Sequence, residues 1–129
     1  MQATRRRDTS AEMAIRRELH RRGLRYRVDR APLAGSRRRA DIVFGAARVA
    51  VYVDGCFWHR CPEHGTLPKA NRAWWEEKLL ANQRRDQDTN ERLTAAGWLP
   101  VRVWEHEEPA AAADRIERLV RARRPDRPR

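Results

Sequence analysis

The chain has 129 residues, 40% of them apolar, and carries 29 Lys+Arg against 18 Asp+Glu for a formal net charge of +11. That length suits one hydrophobic core rather than two, no apolar run is long enough to span a membrane, and MQATRRRDTS has no apolar segment of the signal-peptide kind behind its arginines. A cytosolic protein with a polyanionic partner is the expectation, because each Lys or Arg that meets a phosphate releases condensed counterions. Only Lys69 and Lys78 are lysines; arginine-heavy coding accounts for that choice, but not for the excess of positive over negative charge.

Residues 1–8 form a basic arm. Thr9 and Glu12 make a T-x-x-E capping box, Ala11, Ile15 and Leu19 follow at helical spacing, and Gly23 is a stop, which predicts a helix over 10–22. RYRVDR (25–30) alternates and predicts a strand, followed by a loop over 31–39. ADIVF (40–44) and RVAVYVD (48–54) are β-rich and joined by a GAA turn, a predicted hairpin. Residues 55–70 show no periodicity. Residues 71–96 lack breakers and predict a long helix closed by Gly97, WLPVRVWE (98–105) a further strand, 110–123 a last helix, and 124–129 a frayed tail. The order α-β-β-β-α-β-α implies a single α/β domain over 1–129, a mixed sheet flanked by helices.

Asp41 and Asp54 lie at the ends of apolar strands, where a carboxylate is costly unless it is paired, hydrogen-bonded or bound to a cation. Acids at neighbouring strand ends can hold Mg²⁺, a hard cation that takes oxygen ligands; the other reading is that both are strand-end turn residues. If Phe44 pairs with Arg48, Asp41 shares a face with Val51 and Val53 while Asp54 takes the other. Bringing both to one ion then needs a bulge, a strong twist or a shifted register. Alternatively the backbone carbonyl of Val53 is the second protein ligand.

DGCFWHRCPEH places Cys56, His59, Cys61 and His64 within nine positions. In a cytosolic chain two close cysteines point to metal or free thiols rather than a disulfide. Zinc favours thiolate and imidazole in a tetrahedron; Cys56, Cys61 and His64 supply three ligands, and His106 a fourth if the strands at 48–54 and 98–104 end near each other. Spacing alone does not say which histidine of the loop is the ligand.

Taken in order, RDTSAE (7–12), the RAD of 39–41, VDGCFWH (53–59), the helix pattern with Trp75, Lys78, Asn82, Arg85 and Asp86, and GW…VWE (97–105) resemble the very-short-patch repair (Vsr) endonuclease family of the restriction-endonuclease-like superfamily. GCFWH followed by Cys and His is the specific part. The resemblance implies a bacterial, magnesium-dependent DNA endonuclease that nicks one strand at a T·G mismatch in double-stranded DNA and carries a structural zinc ion. It implies Asp41 and the Val53 carbonyl as magnesium ligands, His59 as a catalytic histidine, Glu12 as a glutamate near the site, and Cys56, Cys61, His64 and His106 as the zinc set. Phe57 and Trp58 become a wedge beside the mismatch rather than local core, with Met13 a weaker candidate from the other groove. Lys78, Asn82 and Arg85 become a phosphate-facing stripe rather than a solvated helix face, while Trp74 and Trp75 read as packing residues.

The chain departs from the family pattern twice. Asp54 stands where the best-known member has a catalytic histidine, which makes the site more like a two-carboxylate nuclease with His59 as general base. His106 stands where that member has a cysteine, a change that preserves zinc ligation. A related nuclease cutting matched DNA in restriction or defence, and a zinc-stabilised DNA-binding module without catalysis, are the competing readings. A monomer is the simplest expectation.

Overall fold

The structure, a computed structural model, describes residues 10–33, 35–55 and 69–123. The elements run α1 (Ser10–Arg21), β1 (Arg27–Arg30), β2 (Ala40–Phe44), β3 (Val49–Asp54), α2 (Arg72–Ala95), β4 (Leu99–Trp104) and α3 (Pro109–Arg123). This is the expected α-β-β-β-α-β-α order, with element ends within about two residues of the expected ones. Glycine sets two of the boundaries. Gly23 and Gly97 take φ of 81° and 88°, the left-handed conformation that lets a helix end in closing turns. Leu24 N–H then donates to the Leu19 carbonyl at 3.1 Å and Trp98 N–H to that of Leu93 at 2.8 Å.

The sheet has the order β1-β2-β3-β4; the first three strands are antiparallel neighbours and β4 runs parallel to β3. Strand alternation splits its side chains between two helical layers. Ile42, Phe44, Val49, Val51, Val101 and Val103 pack with Ile15 and Leu19 of α1 and Ile116 and Val120 of α3. Val43, Ala50 and Tyr52 point the other way and pack with Leu93 of α2. The helices α1 and α3 are also joined by ion pairs from Arg22 to Asp114 and Glu117.

The β2–β3 register differs from the expected one, and the reason is local. Arg48 adopts φ 56° and belongs to the turn, its N–H reaching the Gly45 carbonyl at 3.3 Å. The turn therefore takes four residues instead of three, and Phe44 pairs with Val49, Val43 with Ala50 and Ile42 with Val51. A one-residue shift exchanges the faces of a strand. One step past the last pair, Asp41 falls beside Tyr52, on the side of the sheet that Asp54 shares.

Candidate active site

Asp41 sits where regular pairing gives way on both flanks of β2. Towards β1 the pairs are Arg27↔Val43, Val28↔Ile42 and Arg30↔Ala40. Between the last two, Asp29 faces Asp41 in a left-handed conformation at φ 53°, one that Asp tolerates better than branched residues do. Towards β3 the ladder stops at Ile42↔Val51. Beyond it, the Asp41 carboxylate turns back to β3 and its Oδ2 accepts the Val53 N–H at 2.7 Å. In an extended strand a residue's N–H and C=O point to the same side, so the Val53 carbonyl is directed to the β2 side as well. The Asp54 carbonyl points oppositely, accepting the Glu105 N–H at 2.9 Å.

Two other acids approach from different layers. Glu12 of α1 is buried at 1% exposure and Asp54 at 7%. Burial pushes Asp41 up to about 7, the Val53 N–H acts against that rise, and the negative charges of Glu12 and Asp54 add to it. A carboxyl so displaced is costly to ionise without a cation. Each flanking acid has an arginine. Arg16 pairs with Glu12 through Nη2 and donates from Nε at 3.0 Å, and Arg102 of β4 donates from Nη1 to Asp54 Oδ1 at 3.1 Å. The Asp41 carboxylate and the Val53 carbonyl are hard oxygen ligands of the kind Mg²⁺ takes, while among the described residues no three metal-binding side chains form one group.

The structure thus brings together Glu12, Asp41, Val53 and Asp54, and the objection that the two aspartates face opposite sides falls with the corrected register. His106 follows β4 directly. Its ring stacks towards that of Trp104, with centroids 6.5 Å apart, and it lines a cleft of about 770 Å³ with the start of α1 and Glu105, Glu107 and Pro109. Asp54 and Trp104 pair in register, so β3 and β4 end side by side, the condition for His106 to share an ion with the loop after Gly55. Cys56, Phe57, Trp58, His59, Cys61 and His64 lie outside the described residues, as does Thr9.

Met13 is half-buried, and its sulfur accepts from Arg16 Nη1 at 3.3 Å. On α2, Lys78 and Arg85 are exposed and Asn82 is half-buried, with Lys78 Nζ 5.3 Å from the centre of the Trp74 ring. The expectation for Trp74 needs correction: it is 51% exposed, in edge contact with a half-buried Trp75. The cause is the placement of α2, whose first two turns bury only Leu79 among the described residues, whereas Thr89 and Leu93 are buried further along.

Sequence reasoning missed Arg16 and Arg102. Both had a signal. Arg16 lies one helical turn after Glu12, the spacing at which side chains meet, and Arg102 is the charged residue in an otherwise apolar strand.

Comparison with known proteins decides the family. The model of the DNA mismatch endonuclease Vsr matches residues 1–63. The chain is 47% identical to the type II nicking enzyme V.NaeI of Lentzea aerocolonigenes, over 92% of this chain and 75% of that one. It is 41% identical to the type II nicking enzyme V.XorIIP of Xanthomonas oryzae pv. oryzae, over 83% and 77%, and 36% identical to the DNA mismatch endonuclease Vsr of Escherichia coli K12, over 81% and 66%. The chain belongs to the Vsr endonuclease family. It is a DNA endonuclease, and the reading as a module without catalysis lapses. Among the described residues no helix is long and apolar enough to cross a membrane.

Proposed function

We propose that this endonuclease nicks one strand of double-stranded DNA beside a T·G mismatch, with Mg²⁺ held by Asp41 and the Val53 carbonyl. The observation that carries the reading is Asp41 itself, a half-buried carboxyl pushed up to about 7 and held against the Val53 amide. Such a group gains most from a cation. Bound magnesium supplies polarisation of the scissile phosphate and neutralises charge developing on it. Val53 fixes the Asp41 carboxylate through its N–H. Glu12, locked to Arg16, adds negative potential at the site without being free to swing. Asp54 contributes charge from the α2 side and is held there by Arg102, and His59 serves as general base for the attacking water.

The same proposal includes a structural Zn²⁺ on Cys56, Cys61, His64 and His106. Its support is the side-by-side ending of β3 and β4, which puts the start of the loop and His106 at one end of the sheet. Phe57 and Trp58 act as the wedge and Met13 approaches from the opposite groove. Lys78, Asn82 and Arg85, with the exposed face of α2, lie along the phosphates. The protein works as a monomer in the bacterial cytoplasm.

The alternative is cutting of matched DNA, since the relatives named type II nicking enzyme carry no substrate in their names. Labelled duplexes with one central T·G, set beside matched twins in several flanking sequences, separate the two. Magnesium-dependent nicking of the mismatched duplex alone supports the first reading, and equal cutting of both supports the second.

A further inference from the structure

Residues 25–39, which contain β1 and lead into β2, hold six arginines and one acid, Asp29. That acid is already engaged, since Arg39 Nη1 donates to the Asp29 carbonyl at 2.7 Å and lies 3.6 Å from its Oδ2. Arg38 is taken up from α2, its Nη1 reaching Asp88 Oδ2 at 2.7 Å and Thr89 Oγ1 at 2.8 Å. Arg25, Arg27, Arg30 and Arg37 are exposed and form no ion pair with a described residue.

These charges sit along a sheet edge. β1 stands first in the strand order, so among the described residues its outer side pairs with no strand. A charge or two of either sign is enough to deter such an edge from pairing with another chain. Four unpaired charges of one sign repel each other, and clustered arginines of this kind are the footprint of a polyanion.

The edge is also well placed for DNA. Arg30 pairs with Ala40, next to Asp41, and Arg27 with Val43, so the positive run starts beside the candidate site and leads away from it. The Tyr26 hydroxyl donates to the Arg16 carbonyl at 3.0 Å and ties the entry of β1 to α1. Three strand steps from Arg27 to Arg30 span about 10 Å, and one DNA strand carries a phosphate about every 3.4 Å along its axis. Both side chains can therefore meet the backbone of one duplex within about three base pairs.

We propose that the β1 edge is a DNA-backbone surface separate from α2, on which Arg27 and Arg30 neutralise phosphates of the duplex flanking the cut, with Arg25 and Arg37 extending it. That the surface adjoins the cut rests on the reading of Asp41; that it holds DNA does not.

The test is the salt dependence of duplex binding by the full-length, zinc-loaded protein without magnesium, on mismatched and matched duplexes alike. In Arg27→Gln/Arg30→Gln the slope of log affinity against log salt should be shallower by about 2, as two phosphate contacts require. From roughly 50 to 200 mM salt, wild type should then lose about tenfold more affinity than the variant. Arg27→Lys/Arg30→Lys should keep the wild-type slope. Arg118→Gln/Arg121→Gln, which removes the same charge from exposed positions of α3, should keep it too. With magnesium and saturating DNA, the single-turnover rate of Arg27→Gln/Arg30→Gln should stay within about twofold of wild type, because the lost contacts are remote from the reacting atoms.

An unchanged slope in Arg27→Gln/Arg30→Gln overturns the proposal, and so does an equal fall in the α3 variant, which would make the effect one of net charge. An unchanged slope together with self-association would show that the arginines guard the edge and do nothing more. Wild-type cutting by Asp41→Asn would remove the adjacency to the cut, while the slopes would still decide whether the edge holds DNA.

Discussion

The Oδ2 atom of Asp41 accepts a hydrogen bond from the Val53 amide at 2.7 Å, one step past the last regular pair of the β2–β3 ladder. That contact ties the half-buried acid of β2 to the strand whose carbonyl turns towards it.

Stability of the magnesium-free protein should fall as pH rises from about 4 to about 7. The folded Asp41 carboxyl is raised from 3.8 to about 7, so across that window the folded state holds a proton the unfolded chain has lost, and the slope of unfolding free energy with pH is negative. A shift of that size is worth on the order of 4 kcal/mol, fully lost above pH 7. Asp88, Asp114 and Glu117 are held below their usual values by arginine partners and act with the opposite sign at lower pH. Urea titrations of wild type and Asp41→Asn, without magnesium, check this: the wild-type decline should be missing in the variant. Saturating magnesium should stabilise wild type more at pH 8 than at pH 5, since the ion must displace the proton.

Glu12→Ala should cost about 2–3 kcal/mol, because it removes the charge-assisted hydrogen bonds that half-buried Arg16 makes to a buried carboxylate. The pair is well covered, at 1% and 15% side-chain exposure. Glu12→Ala/Arg16→Met should recover much of that loss. Chemical denaturation of the two variants decides it, and equal losses in both would count against the pairing as the cause.

Tyr52→Phe should leave stability unchanged or raise it by up to about 1 kcal/mol, because the buried hydroxyl it removes has no hydrogen-bond partner among the described residues and an unsatisfied group of that kind is a cost. The ring, and its contact with the Arg102 guanidinium, is retained. A thermal melt in which Tyr52→Phe is clearly less stable would show that the hydroxyl is satisfied in solution.

The purified protein is expected to carry one zinc ion per chain by elemental analysis. His106→Ala should bind it more weakly and melt lower, with Cys56→Ser at least as severe, because a structural zinc ion stabilises the fold directly. Zinc content unchanged in both variants would remove those ligands from the proposal.

Much of the fold could be read from the chain because its signals are local. The strands ADIVF and VAVYVD, the stops at Gly23 and Gly97 and the α1 stripe of Ile15 and Leu19 each follow from a few neighbouring residues. The register at the site could not be read the same way. It turns on Arg48 at φ 56°, a conformation few non-glycine residues adopt and one that nothing in GAAR announces. Tertiary contacts hold that turn: the Arg48 carbonyl accepts the Leu99 N–H at 2.8 Å and Arg123 Nε reaches the Ala47 carbonyl at 2.9 Å. Counting a three-residue turn therefore put Asp41 and Asp54 on opposite faces. Arg102 was overlooked for a related reason, since its partners Asp54, Asp86 and Asn90 lie 12 to 48 positions away and meet it only once α2 lies over the sheet. Trp74 misled because an aromatic at the start of a helix suggests burial, whereas the helix reaches its packing partners further along.

Single-turnover cleavage of a duplex with one T·G mismatch, by wild type and Asp41→Asn at saturating DNA and magnesium, tests the central claim most directly, with DNA affinity and zinc content measured on the same samples. The account expects wild type to nick one strand only when magnesium is present. Asp41→Asn should be slower by about 10³-fold or more, as for loss of a main electrostatic contribution to catalysis, with DNA affinity and zinc unchanged. A rate for Asp41→Asn within tenfold of wild type, or wild-type nicking that persists without magnesium, would contradict it.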